Sequence, residues 1–451
     1  MKTKLKLSEI ITVASLLFGM FFGAGNLIFP VHMGQMAGAN SWAAILGFVI
    51  TAVTIPIMGV AALGISRKSN LLELGEMVGH RYAMFFTCAI YLTIGPFFAI
   101  PRCCTTPYTV GIRPILGGDT SVSLLIFSAI FFAIVLFFSL RPGEILIWIG
   151  KVINPIFLLS LSVLLIAALI NGSEPISAMP SESPYDSMAF FQGFLDGYNT
   201  MDGIASLAFG VIIVTTITEL GVTDPAAVSS NTAKSGLVAG FLMAALYAVI
   251  AIVGAQSIGY AALSENGGVA LADIATHYFG KGGAVLLAFI IGFATLKTAI
   301  GLVTSCSQTF AVMFPHSLSY NMWAVAFTMF SFVVSNVGLS AIISYSVPVL
   351  MLIYPLTITI ILLAIFGGKF NNARPVFVWV TALTFVATFF DFCKALPAWI
   401  FNFLKLGALT DAADKVLPLS SLGLGWVVPA LVGLVIGLFV SQQKGLLRKR
   451  G

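Results

Sequence analysis

The chain has 451 residues, of which 59% are hydrophobic and 9% charged, with a formal net charge of +5. A soluble domain carries about 25% charged residues, so this composition excludes a water-soluble globular protein and implies one that crosses a membrane many times. Lys and Arg fall in alternate loops and form no basic patch, so the positive balance marks topology and implies no nucleic-acid partner.

The apolar runs predict an all-α polytopic protein with roughly twelve spans of about 20 residues. They cover residues 9–36, 41–64, 82–110, 121–139, 144–170, 188–219, 233–262, 283–314, 320–336, 341–366, 375–392 and 422–441. The opening Lys2, Lys4 and Lys6 followed by apolar sequence mimics a signal peptide. The run is too long and lacks a small-x-small cleavage site, so it reads as a retained first helix. With the N-terminus cytoplasmic, the inner segments carry Lys2, Lys4, Lys6, Arg67, Lys68, Arg81, Arg141, Lys151, Lys234, Lys369, Arg374, Lys444, Arg448, Lys449 and Arg450. The outer ones carry Arg113, Lys281, Lys394, Lys405 and Lys415. That asymmetry predicts that both ends are cytoplasmic. The cysteines, among them adjacent Cys103 and Cys104, show no metal-ligand spacing and no disulfide framework.

In the first span, Gly23-Ala24-Gly25-Asn26 interrupts a long apolar run with poor helix formers. A helix broken at bilayer depth must bury its freed amides and carbonyls in protein or around a ligand. Close packing of two helices through small residues is the other reading, and this stretch alone leaves both open.

In the third span, Pro96, Pro101 and Pro107 bracket Arg102, a charge that must face protein or water. Capping of carbonyls freed by the kinks accounts for it better than substrate contact.

The sixth span holds Asp196-Gly197-Tyr198-Asn199-Thr200-Met201-Asp202-Gly203. Two carboxylates, two glycines and an asparagine do not suit a lipid-facing helix, where a mid-bilayer Asp costs about 2.5–3.5 kcal/mol. This predicts a second break, five spans after the first. An odd number of spans reverses direction, so spans one to five and six to ten are expected to be inverted copies whose breaks meet at the midplane.

On the eighth span, residues 301, 304 and 305 share one helix face, so the Gly301 carbonyl and the Thr304 and Ser305 hydroxyls can converge on a small cation. Bonding of those hydroxyls to carbonyls of the preceding turn is the competing reading. Lys297 lies on nearly the same face, and burial requires it to pair, with Asp202 or Asp196, or to give up its proton. No HExxH, GxSxG or Walker pattern occurs. An intramembrane aspartyl hydrolase built on Asp196 and Asp202 is a remote alternative, because a spacing of six does not stack the two on one helix face.

The wording of these motifs is specific. Phe18-Gly-Met-Phe-Phe-Gly23-Ala-Gly25-Asn26-Leu-Ile-Phe-Pro30, Gly95-Pro-Phe-Phe-Ala-Ile-Pro101-Arg102, Asp202-Gly-Ile-Ala-Ser-Leu-Ala-Phe-Gly210, Lys297-Thr-Ala-Ile-Gly-Leu-Val-Thr304-Ser305 and Pro348-Val-Leu-Met-Leu-Ile-Tyr-Pro355 resemble the bacterial branched-chain amino acid carriers of the BrnQ type, across essentially the whole chain. The resemblance implies a symporter in a bacterial inner membrane that imports leucine, isoleucine and valine with Na+ or H+ and uses no other cofactor. It also implies the inverted five-plus-five fold of the leucine-transporter class, with helices 1 and 6 broken and two further C-terminal helices. The repeats would span residues 1–170 and 188–366, followed by 375–451. By the same resemblance, the carbonyls of Gly19 and Phe22 face Gly301, Thr304 and Ser305 across a sodium ion. The substrate is expected at Gly23, Ala24, Gly25 and Asn26 and at Tyr198, Thr200, Asp202 and Gly203, with Tyr91, Phe97 and Phe209 as further apolar candidates. Lys297, Asp196 and Arg102 are the candidate charge-coupling residues. After Arg102 the chain departs from the usual pattern, with Cys103-Cys104-Thr-Thr-Pro107-Tyr-Thr109 in place of small residues and an acid. An amino acid carrier of other specificity, proton-coupled through Lys297, is the alternative within the same class.

Overall fold

The first helix, α1 (Leu7–Phe21), opens where the Lys6 amide donates to the Glu9 carboxylate at 2.7 Å. It ends at Phe21, just before the helix-disfavouring Gly23, and α2 (Gly25–Ala37) begins after three intervening residues. The computed structural model describes residues 3–68, 70–116, 121–141, 145–172 and 175–447. The inner charges expected at Lys2, Arg448, Lys449 and Arg450 lie outside the described residues.

Helix occupies every apolar run singled out in the sequence. After α2 come α3 (41–66), with a π turn at Ile50–Thr54, and α4 (His80–Ile112), whose regularity fails at Gly95 and Pro96. There follow α5 (Ser121–Ser139), α6 (Ile145–Ile170), α7 (Tyr185–Asp196), α8 (Asp202–Glu219), α9 (Pro225–Ser257), α10 (Gly267–Met313), α11 (Tyr320–Ser335), α12 (Leu339–Phe366) and α13 (Arg374–Ala395). Two short helices, α14 (Ala398–Phe403) and α15 (Gly407–Val416), precede α16 (Val427–Gln443).

Two boundaries differ from expectation for local reasons. The seventh span begins at Pro225 and not at 233, because the Asp224 carboxylate caps the Ala227 amide at 2.8 Å and Pro225 takes the first helical position. The eighth is the second part of a longer helix that Asn266 caps and that bends at Gly280, where φ is +65°.

Each broken helix packs on the second span of the other half of the chain. The α1 and α2 pair lies on α9, and the α7 and α8 pair lies on α3. Both contacts are made backbone to backbone through reciprocal glycines. A Cβ on Gly34 would stand 1.9 Å from the Ala251 carbonyl oxygen, and one on Gly254 would stand 2.1 Å from that of Val31. In the other contact, a Cβ on Gly47 would stand 1.9 Å from the Phe190 carbonyl oxygen, and one on Gly193 would stand 2.0 Å from that of Ala44. No side chain larger than hydrogen fits at these positions, which is how small residues bring membrane helices together.

Candidate functional site

The two breaks meet. Asn26, at the start of α2, accepts from the Gly23 amide at 2.9 Å and donates to the Asp202 carboxylate at 2.5 Å and to the Tyr247 hydroxyl of α9. The Tyr247 hydroxyl also donates to Asp202, at 3.3 Å. One side chain thus joins the first break, the second break and a third helix. Asn26 and Asp202 are 2% and 3% exposed, so these bonds are protected from water.

The second break is a 3-10 turn, Gly197–Thr200, followed by Met201 at φ +63°, a left-handed conformation that a side chain with a Cβ adopts only under constraint. Several of its freed backbone groups find partners in neighbouring helices. Thr51, in the π turn of α3, donates to the Phe194 carbonyl at 2.7 Å. The Tyr354 hydroxyl accepts from the Gly203 amide at 3.1 Å and donates to the Thr51 carbonyl at 2.8 Å. Arg102 donates through Nη1 to the Asn199 carbonyl at 2.8 Å, and its guanidinium lies over the Phe29 ring, 5.2 Å from the centroid.

Between the breaks lies a cavity of about 50 Å³. Gly23, Ala24, Gly25 and Asn26 form one wall and Thr200, Met201 and Asp202 another. Arg102 and Cys103 come from α4, and Thr298 and Leu302 from α10. Met20, Phe21, Ile94, Ala205 and Phe209 complete an apolar side. The volume suits about three to five waters, so a branched-chain amino acid requires the walls to part.

Several expected residues lie elsewhere. Tyr198 is 1% exposed and stacks on Tyr354 with ring centroids 4.2 Å apart, so its ring fills the core behind the break. Gly203 borders Tyr354, which already takes its amide. Tyr91 and Phe97 do not line the cavity, whereas Phe209 does. The Asp196 carboxylate accepts from Tyr185 and Gln192, and that of Asp202 from Asn26 and Tyr247, in place of the expected Lys297. Gly19 is buried within α1, and Phe22 stacks on Phe18 and Tyr247. Gly301, Thr304 and Ser305 lie past Thr298 along α10 and outside the cavity wall. The Thr304 hydroxyl is buried with no hydrogen-bond partner among the described residues, and a Cβ on Gly301 would meet open space.

Sequence reasoning missed Tyr247, Tyr354 and Thr298. Tyr247 sits in an ordinary apolar run with nothing to set it apart. Tyr354 precedes Pro355 in an apolar motif whose residue types point to no particular chemistry.

A family model described as branched-chain amino acid transport protein matches residues 6–444. The chain belongs to this family. It is 51% identical to the branched-chain amino acid permease BrnQ of Lactobacillus delbrueckii subsp. lactis, over all of both chains. Among solved structures it resembles Mhp1 in an inward-facing conformation, with a TM-score of 0.65 and 13% identity over 98% of this chain and 95% of that one. It also resembles MhsT in complex with L-phenylalanine, with a TM-score of 0.57 and 16% identity over 97% and 98%. These likenesses establish the leucine-transporter-like membrane fold. Membership of the branched-chain amino acid transport proteins makes the chain a transporter and not an enzyme, which removes the hydrolase reading of Asp196 and Asp202.

Proposed function

We propose that this branched-chain amino acid transporter imports leucine, isoleucine and valine into a bacterial cell, each moving with a cation, through its inner membrane. The observation that carries the reading is the meeting of both breaks at one cavity that is polar at the breaks and apolar opposite. The N-terminal end of α2, positive by its dipole and by its first-turn amides, faces the substrate carboxylate. Asp202 and the carbonyls ending the preceding half-helices receive the ammonium. The apolar side, with Phe209, Ile94 and Leu302, takes the branched side chain.

The coupling ion of this reading is sodium, held by the carbonyls of Gly19 and Phe22 and by Gly301, Thr304 and Ser305. The unpartnered buried hydroxyl of Thr304 beside open space at Gly301 supports it, since such a group costs about 1–3 kcal/mol unless something satisfies it. A proton carried through Lys297 is the second reading.

The exchange of broken helices between halves, α1 and α2 on α9 and α7 and α8 on α3, supports inverted repeats over residues 1–170 and 188–366 with 375–451 appended. The asymmetry of Lys and Arg supports cytoplasmic termini.

The test is uptake of labelled leucine into proteoliposomes under separately imposed sodium and proton gradients. Saturable uptake driven by one gradient and inhibited by isoleucine and valine is expected. Uptake that ignores both gradients would overturn the symport reading, and uptake that fails to saturate would point to a channel.

A further inference from the structure

Arg102 is 2% exposed, yet it lines the cavity between the breaks. What holds it is neutral: the Asn199 carbonyl takes one Nη1 hydrogen, and the Phe29 face lies beneath the planar group. Its Nε is buried without a hydrogen-bond partner among the described residues. The Asp202 carboxylate accepts from Asn26 and Tyr247. No ion pair of the described residues includes Arg102. A buried cation with unfilled donors and no anion in contact is costly, and a fold keeps it where an anion arrives.

We propose that Arg102 reads the substrate α-carboxylate, its guanidinium closing on one or both carboxylate oxygens when the amino acid enters. The inference rests on the amino acid transport reading above and adds to it a specific charged donor from α4. Guanidinium is suited to the task because it cannot lose its charge inside a protein and its donors match the geometry of a carboxylate. Asn199 fixes one side of the group and Phe29 fixes its plane, so little side-chain freedom remains to be lost on binding. Arg102 and Asp202 then present one positive and one negative group to a ligand that carries one of each. The cavity is electrically matched to a zwitterion, and it rejects an amine or an acid alone.

The experiment compares leucine with leucinamide, which keeps the ammonium and the side chain but has a neutral amide in place of the carboxylate. Binding is measured by titration calorimetry on the full chain in detergent, for the wild type, Arg102→Gln and Arg102→Lys. The wild type is expected to favour leucine by about a hundredfold or more, the worth of two charge-assisted hydrogen bonds. In Arg102→Gln that preference should fall below about tenfold. Arg102→Lys, a point charge on a different stem, should lie between. The ranking of leucine, isoleucine and valine should stay as in the wild type, an outcome that general distortion of the site would not produce. A Gln variant that keeps the wild-type preference for leucine over leucinamide overturns the proposal. A leucine-bound structure of the unmodified protein decides the matter even where the variants do not fold: a carboxylate oxygen within about 3.2 Å of a guanidinium nitrogen upholds it, and separation beyond hydrogen-bond reach sinks it. A wild type that binds none of the three amino acids overturns the transport reading itself, a result distinct from loss of discrimination at Arg102.

Discussion

Asn26 makes three hydrogen bonds with one amide group, to Gly23, Asp202 and Tyr247, and replacing it tests whether the two breaks work as a unit. Asn26→Ala leaves a buried carboxylate and the half-buried Gly23 amide short of partners, at up to about 1–3 kcal/mol each. Asn26→Asp keeps the shape but sets two carboxylates against each other, so it is expected to lose leucine binding at neutral pH more completely than Ala does. Thermal unfolding and leucine titration in detergent measure both effects, and wild-type affinity in Asn26→Asp would show that the bond to Asp202 is dispensable. On α10, Thr304→Ala with Ser305→Ala removes two oxygens from the proposed sodium site without adding bulk. At about 1.5–3 kcal/mol per charged contact, the sodium midpoint for leucine binding should rise on the order of a hundredfold or more. Saturating sodium should restore much of the leucine affinity, because coupling is reciprocal. An unchanged midpoint in a sodium-dependent wild type would return both hydroxyls to bonding within the helix.

Contacts between elements give a sharper prediction about packing. Gly34→Ala and Gly254→Ala drive a methyl into a carbonyl of the facing helix, and backbone cannot turn aside as a side chain can. Overpacking of this kind costs about 1–3 kcal/mol or more, and should appear as a lower unfolding temperature with loss of transport. At Gly292 an added Cβ would meet Pro107 at an ordinary 3.6 Å. Gly292→Ala should therefore hold or raise stability, by up to about 1 kcal/mol from helix propensity, and a shared fall in all three variants would refute the packing argument. These glycines also mark what the sequence can disclose. Gly23 to Asn26 and Asp196 to Gly203 were readable as breaks because polar and flexible residues interrupt apolar runs, and the tally of apolar runs located each span. Gly34 and Gly254 carry no sign of their partner, since helix-to-helix register is a property of two distant segments. The same holds at the site. Asn26 and Asp202 drew notice by being polar, whereas Tyr247 joins them only through the crossing of α2, α8 and α9. The neighbours of Tyr198 in sequence predict it in the cavity, yet the 3-10 turn sets its ring on Tyr354.

For the molecule as a whole, transport requires the cavity to open to each side in turn, and one of its faces is tied across three elements. Arg113, at the end of α4, pairs with Glu265 before α10 at 3.3 Å, and Glu265 accepts from Ser340 at the start of α12 at 2.6 Å. The Ser340 hydroxyl and then the Arg113 charge hold the Glu265 carboxyl below its usual range. A depressed carboxyl contributes its stabilisation above the ordinary carboxyl range and loses it as the pH falls through the lowered value. This tie, on the proposed outer face, is accordingly complete at neutral pH and weakens in acid. Glu265 is exposed and Arg113 half-buried, which limits the worth of the pair to about 0–1 kcal/mol, so Glu265→Gln should shift the balance toward outward opening by no more than about fivefold. Accessibility of a cysteine introduced below the tie, compared between wild type and Glu265→Gln at neutral and acid pH, measures the shift. The variant should be insensitive to acid over the range in which the wild type changes.

The departure at Cys103 has a practical consequence. Its thiol stands in the cavity wall and is 2% exposed, sealed from reagents while the walls are together. When the walls part to admit a substrate, the thiol meets solvent, so the native chain carries its own reporter of the transport stroke. Alkylation at Cys103, followed by peptide mass spectrometry, should proceed at the pace of opening and be slowed by leucine occupying the space. The neighbouring Cys104 points into the core and supplies an internal standard in the same peptide.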